Sequence, residues 1–540
     1  MLALPVPPSA GLSWALVSFR RLGRVNIAKH FDYIVVGGGT AGCVLAARLS
    51  QDPGCRVLLL EAGAPRGPAA MSDPAGWLGL SGTSVDWAYQ TLPQAGTDGE
   101  IHSWPRGKVL GGSSAINGML HIRGDRSSYD AWEAAGAVGW NYDSLLPFLK
   151  RSEHAPGRDP GYRGLDGPMI VAPGPGREPI WEACFEAALE AGHPSNPDTN
   201  GATGEGVGWQ EFNVVGGARQ SAADGYLRPA EGRPNLTIMT DASVRRLIIE
   251  HGSCRGVEYS TSAGDETAFV ERDVVLAAGV IGSPQLLMLS GVGPGGHLRG
   301  LGIDVITDLP GVGANLHDHP KAVVSHAASR PVRTKTFARK PLVLTRTDSA
   351  EKPDTQMIFI DVPIHPRFTP GPEHGYSIIF SLMSPASRGS VRLASADPQQ
   401  PPLIDPNYLA DERDVQRMVG GLHTAREVAA RDALAPFRAA ELFPGPDARS
   451  DAALRAYLRR GVSTYFHPVG TCRIGSDPMS VVDPELGVHG IANLRVADAS
   501  VMPSVTSGNT NAAVLGIAER AASIITGERL ETADGLVTVR

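Results

Sequence analysis

The sequence predicts an α/β chain, α+β taken as a whole. A dinucleotide-binding domain sits on a parallel sheet, with an antiparallel-sheet module interposed in it. Three observations predict this. The apolar run Phe31-Asp32-Tyr33-Ile34-Val35-Val36 stops at a glycine-rich turn, Gly37-Gly38-Gly39-Thr40-Ala41-Gly42. Polar–apolar alternation, the mark of half-exposed strands, is concentrated between 320 and 465. From 466 onward the chain returns to a buried strand followed by a helix.

Gly37, Gly39 and Gly42 have G-x-G-x-x-G spacing, behind a strand and ahead of a helix over 40–49. The first permits the tight turn, the second lets backbone approach a pyrophosphate, and the third lets the helix pack on its strand. Thr40 and Ala41 open that helix, whose first amides and positive dipole end then face the phosphates. A second apolar run, Arg56-Val57-Leu58-Leu59-Leu60, ends at Glu61. That is about twenty residues past the turn, where such folds hydrogen-bond an adenosine ribose. An acid there disfavours a 2′-phosphate and so NADP; NAD and FAD both stay open.

Residues 64–105 are loop-rich, and then comes Arg106-Gly107-Lys108-Val109-Leu110-Gly111-Gly112-Ser113-Ser114-Ala115-Ile116-Asn117-Gly118. A glycine–serine stretch this dense predicts backbone pressed against another part of the ligand. Residues 156–176 read as a connection and 181–191 as a helix. Strands are predicted over 236–239, 244–249 and 270–276, and Ser283-Pro284 is read as opening a helix. In the module, strands are predicted over 356–360 and 376–380 and continuing at 390–393, with helices near 411–431 and 450–460. Such a module covers a cofactor and carries substrate specificity. The tail gives a strand over 493–497 with Asp498 at its end, then a helix over 512–526 preceded by Asn509, Thr510 and Asn511, all capping types.

At 540 residues, two domains are the default. Apolar content of 42% with 19% charged residues is globular, and a net charge of −7 without a long basic run argues against nucleic acid as a partner. The five cysteines, Cys43, Cys55, Cys184, Cys254 and Cys472, contain no C-x-x-C pair. That disfavours a disulfide framework and a zinc site and fits a reducing compartment, read as the cytoplasm. No apolar run reaches the roughly 18 residues of a transmembrane segment. Residues 1–30 read as a loose extension: their basic residues follow the apolar stretch, the wrong order for a secretory signal, although a transit peptide stays open. His317 and His319, two apart on a loop without further ligands, do not make a metal site, and no metal is expected.

Five blocks, at 33–42, 106–117, 278–293, 467–472 and 497–519, together resemble the glucose–methanol–choline oxidoreductases, in particular choline dehydrogenase-like members. The resemblance spans about 31–526 and turns the dinucleotide into FAD. It implies a discontinuous Rossmann-like FAD-binding domain at 31–155, 220–319 and 466–535, and a substrate domain at 156–219 and 320–465. It further implies that Gly37, Gly39, Gly42 and Glu61 hold the ADP half, and that Val244 meets the adenine through backbone. Gly111, Gly112, Ser113 and Asn117 would wrap the pyrophosphate and flavin, with Asp498 and Asn509 near the pyrophosphate, ribityl chain or ring. His467, in Tyr465-Phe466-His467-Pro468-Val469-Gly470, matches the catalytic histidine, and Asn511 the second active-site position. Where some relatives attach FAD through a histidine, this chain has Ile116, so non-covalent FAD is expected. His121 is expected at the pocket in place of an aromatic residue. The stretch 329–354 reads as shorter than in choline dehydrogenase-like members, implying a wider entrance.

The chemistry asks for these residue types. Oxidising an alcohol removes a proton from oxygen and a hydride from carbon, and a free alkoxide is too costly. An imidazole, with an ordinary pKa near working pH, takes the proton as the hydride leaves for flavin N5. An amide donates a hydrogen bond to the developing alkoxide without competing for its proton. The expected reaction converts a primary or secondary alcohol to an aldehyde or ketone, with oxygen, a quinone or a carrier as electron acceptor. Two rivals are a NAD-dependent dehydrogenase and, since some family members hold FAD but cleave cyanohydrins, a hydroxynitrile lyase. A third is a flavoprotein with a binding role.

Overall fold

The computed structural model describes residues 30–332, 338–347, 352–364, 372, 374–528 and the pairs 531–532 and 535–536. The extension at 1–29 and part of the stretch expected to be short (333–337 and 348–351) lie outside the described residues.

The first sheet runs Leu236–Met239, Val57–Leu60, His30–Val36, Gly264–Leu276, Ser253–Thr261, Ser243–Glu250, with Leu494–Val496 also on Gly264–Leu276. Its nucleotide-side pairs are parallel, and the two outer pairs are antiparallel. The thirteen-residue strand Gly264–Leu276 makes this possible by changing partners along its length. Gly264 to Phe269 pair with Ser253–Thr261, and Val274 to Leu276 lie between His30–Val36 and Leu494–Val496. Every residue of Val57–Leu60 is buried, as expected of a parallel strand covered on both faces. Each such side chain contributes roughly 1.5–3 kcal/mol on burial. Helices Thr40–Leu49, Gly279–Leu289 and Thr510–Thr526 complete that core.

The second sheet is antiparallel, in the order Arg438–Phe443, Pro320–Ala328, Gly375–Leu382, Thr355–Ile360, Pro341–Thr345, Gly206–Trp209, with Ser463–Thr464 on Pro320–Ala328. Side-chain alternation separates its faces. Met357 and Phe359 pack with Met418 and Leu422 of helix Glu412–Ala430, whereas Ile358 and Ile360 face the other way.

Three expectations need correction. Ser390–Arg392 does not continue this sheet; it pairs only with Leu403–Asp405 in a separate ribbon. The helix read as opening at Ser283-Pro284 begins at Gly279, with Pro284 inside it. The missing Pro284 amide leaves the Val280 carbonyl unpaired within the helix, and the Thr471 hydroxyl donates to that oxygen instead (2.6 Å). His121 is not at the pocket. It is buried beside Glu153 (3.0 Å), within an ionic cluster that includes Arg123, Arg163 and Glu211.

Candidate active site

The two glycine-rich segments meet backbone to backbone. Gly37 has φ +100° and donates its amide to the Leu60 carbonyl (2.8 Å). Gly112 has φ +52°, and a Cβ there would lie 2.6 Å from Gly39 Cα. The Gly111 amide donates to the Gly38 carbonyl (2.8 Å). These contacts form one wall of a cavity of about 1630 Å³. Gly37, Gly39, Thr40, Ala41, Glu61, Gly112, Ser113, Asn117, Val244, Asp498, Asn509, Asn511 and His467 all line it. Gly42 and Gly111 do not line it. Gly42 lets its helix close on Gly37, whose carbonyl oxygen would lie 1.8 Å from an added Cβ.

Two of the helices that start at the cavity, Thr40–Leu49 and Thr510–Thr526, lack a side-chain cap. Gly39 precedes Thr40–Leu49, and Asn509 precedes Thr510–Thr526 without capping it. Asn509 Oδ1 is buried without a partner. Asn511 is therefore inside the helix rather than ahead of it; its Oδ1 accepts from the Thr40 hydroxyl (3.0 Å), which leaves its NH₂ group to donate. Glu61 accepts from the amides of Gly38 and Gly63 (2.7 Å each), and burial pushes its pKa up to about 7. The Asp498 carboxylate is committed to the protein. It accepts from the Gly279 amide (2.9 Å), the Ser283 hydroxyl (2.6 Å) and the Ser500 amide (2.8 Å). It thus holds two helical starts at the cavity floor.

His467 is positioned by a second segment. Residues 317–321 and 463–469 run antiparallel, with Lys321 opposite Ser463, Pro320 opposite Thr464 and His317 opposite Val469. His319 therefore meets His467, Nδ1 to Nδ1, at 3.0 Å. Beneath them, Asp318 accepts from the His467 amide (2.8 Å), the Thr464 hydroxyl (2.6 Å) and the Tyr408 hydroxyl. Phe466 has φ +68°, a conformation costly for a non-glycine residue. Thr464 Oγ1 accepts its amide proton (2.8 Å), and Arg106 Nη2 donates to its carbonyl (2.8 Å), which holds the turn that presents His467. Burial, then the neighbouring His319 and Arg106, hold the His467 pKa well below its ordinary value; burial takes His319 down to about 3. Both rings are neutral, so one Nδ1 donates to the other. If His467 donates, its Nε2 lone pair is free to accept a proton.

His317 goes elsewhere: its Nδ1 donates to the Asn315 carbonyl (2.6 Å) and its Nε2 accepts from the Val505 amide (2.9 Å). The sequence marks His317 and His319 only as potential metal ligands and does not mark Asp318, His319 and Arg106 as supports of His467. The density of polar residues in Asn315-Leu316-His317-Asp318-His319 was the available signal, but not their partner 148 residues away.

The arrangement fits a flavin dinucleotide: a glycine cradle that a Cβ would fill, two helix starts awaiting acceptors, and an orphaned buried amide oxygen. The GMC oxidoreductase N-terminal model matches residues 31–321 and the C-terminal model residues 385–518. Human mitochondrial choline dehydrogenase is 40% identical, over 92% of this chain and 90% of its own. The oxygen-dependent choline dehydrogenase of Staphylococcus xylosus is 39% identical, over 93% and 96%. The crystal structure of pyridoxine 4-oxidase from Mesorbium loti superposes with a TM-score of 0.88 at 39% identity, over 91% of this chain and 98% of that one. The chain belongs to the GMC oxidoreductase family and is an FAD-dependent enzyme acting on CH–OH groups.

Proposed function

We propose that the enzyme oxidises a primary or secondary alcohol to an aldehyde or ketone, with His467 as general base and Asn511 as hydrogen-bond donor to the same oxygen. The observation that carries this reading is the neutral, immobilised imidazole of His467 in the wall of the cavity that also holds the glycine cradle. Gly37, Gly39, Thr40, Ala41, Glu61, Gly112, Ser113, Asn117, Val244 and Asn509 would hold FAD, with Asp498 fixing the floor of that site and Gly42 and Gly111 shaping it from behind. When bound, FAD supplies the two-electron acceptor for the hydride leaving the carbinol carbon.

The protein's own part is proton transfer and positioning. His467 Nε2 takes the hydroxyl proton while Nδ1–H donates to His319. Arg106 and the Asn511 amide favour negative charge on the substrate oxygen as it develops. An electron acceptor, whether oxygen, a quinone or a carrier, would complete the turnover. The division into a cofactor domain at 31–155, 220–319 and 466–535 and a substrate domain at 156–219 and 320–465 belongs to the same reading, and strand membership of the two sheets supports it. Among the described residues, no helix is long and apolar enough to cross a membrane. Five free, buried cysteines support a reducing compartment, and we assign the cytoplasm. Human and mouse relatives are named mitochondrial, and recovery of the native protein in that organelle would overturn the assignment.

The test is anaerobic reduction of the bound flavin by an alcohol, followed by admission of air. His467→Ala should retain flavin and slow reduction by about 10²–10⁴-fold, the usual worth of a general base. An unchanged rate would remove His467 from the mechanism.

A further inference from the structure

The wall beside His467 carries a lysine that the reaction as described does not use. Lys321 lies across the antiparallel bridge from Ser463, four residues before His467. Its Nζ donates to Ser463 Oγ (3.0 Å) and stands 5.9 Å from the centre of the Phe466 ring. Lys321, Ser463 and Phe466 all line the cavity. One of three ammonium donors is used, and Nζ forms no ion pair among the described residues. The acid it senses is Asp318, which is buried beneath and already shared with Arg106. Burial pushes the Lys321 pKa down to about 8, which leaves it charged at neutral pH.

The carboxylates along the cavity are already engaged, and two of its aromatic rings already stand by lysines. Of the acids along the cavity, Glu61 and Asp498 are committed to backbone amides, Asp361 lies 3.5 Å from Lys340, and Glu100 is engaged as well. Aromatic faces attract trimethylammonium groups. Here Lys108 Nζ lies over Trp87 (4.6 Å), and Lys321 stands by Phe466. Arg106 near the turn that presents His467 is offset by Asp318 and Asp86, whereas the Lys321 ammonium has, among the described residues, only the Ser463 hydroxyl as a direct partner, so a substrate that brings a second positive charge beside Lys321 is repelled there.

We propose that the substrate is an alcohol bearing an anionic oxygen, a carboxylate or an ionised phenol, which Lys321 binds while the hydroxyl meets His467, and that quaternary ammonium alcohols are rejected. This rests on the alcohol-oxidising reading above and separates the enzyme from the choline specificity named for several relatives. Specificity is a difference in affinity, and one ammonium contributes to both sides of it: it attracts the anion and repels the cation.

The test is a matched series of benzyl alcohols carrying a para carboxylate, a methyl ester or a trimethylammonium group, with flavin reduction followed anaerobically. In parallel, binding of two compounds that cannot be oxidised, benzoate and phenyltrimethylammonium, is read by calorimetry and by the shift of the flavin spectrum. The holoenzyme should prefer the carboxylate over the ester by about 10- to 100-fold, the range of a charge-assisted hydrogen bond, and should bind benzoate over phenyltrimethylammonium. Lys321→Met should abolish the carboxylate-to-ester ratio, Lys321→Arg should keep it, and Lys321→Glu should invert the order of anion and cation. Equal turnover of the three alcohols by the wild type, or a ratio unmoved in Lys321→Met, overturns the inference while leaving alcohol oxidation intact. Lys321-dependent binding of benzoate without reduction by any alcohol supports the anion site and refutes the reaction instead.

Discussion

Replacing Asp318 by Asn removes one negative charge at nearly constant volume. The carboxylate is 3% exposed and accepts from the His467 amide, Thr464 and Tyr408. The two hydroxyl partners can turn to accept from an amide NH₂, so pairing survives, but charge-assisted bonds are about twice as strong as neutral ones. The larger loss is Coulombic. As His467 gains a proton it becomes a third cation beside Arg106 and Lys321; Asp318 offsets all three from beneath, and Asp86 offsets Arg106. A unit charge at ~6 Å and an effective dielectric near 20 is worth about 3 kcal/mol, and partial relaxation leaves about 1.5–3 kcal/mol. That corresponds to about 10- to 100-fold in rate. The assay is anaerobic stopped-flow bleaching of the flavin by a neutral alcohol, with flavin content and thermal unfolding measured on the same protein. Flavin-replete Asp318→Asn that bleaches within about twofold of the wild type would refute the reasoning.

Three further outcomes follow from the same geometry. Gly112→Ala forces a side chain into a positive-φ position against Gly39 backbone; we expect the flavin-to-protein absorbance ratio to fall by about tenfold, and normal flavin content would remove the close-approach argument. Thr471→Val leaves the Val280 carbonyl opposite Pro284 without a donor, and urea unfolding should show a loss of about 1–3 kcal/mol with an unchanged slope. His467 must be neutral to act as a base, and its pKa is depressed, so activity with a neutral alcohol is present above that value and lost as pH falls through it. The acid limb of kcat/KM should therefore lie well below 6.5, and a limb at or above 6.5 would contradict the buried, cation-flanked imidazole.

The parts legible in the sequence were those with local signals. The helix Thr40–Leu49 was bounded correctly because a glycine turn precedes it and apolar spacing runs through it. Thr355–Ile360 and Gly375–Leu382 were read by alternation, which their two differently packed faces require. Ser253–Thr261 was missed, as was the change of partner along Gly264–Leu276, since a single strand does not record on which side it pairs. The helix start before Pro284 has no local signal, because proline favours a first turn and the donor that pairs the freed Val280 carbonyl, Thr471, is distant in sequence.

The sequence by itself determined the class of ligand and the candidate base. Glycine spacing behind a strand restricts backbone geometry locally, and an imidazole has few rivals as a base near neutral pH. Tertiary structure decided how that base is held. His319, Asp318 and Arg106 reach His467 or its turn from as far as 360 residues away, and burial sets the His467 charge state. It also decided that Lys321 faces the cavity. Burial and through-space charge depend on distances between chain segments, which no local pattern of residue types encodes.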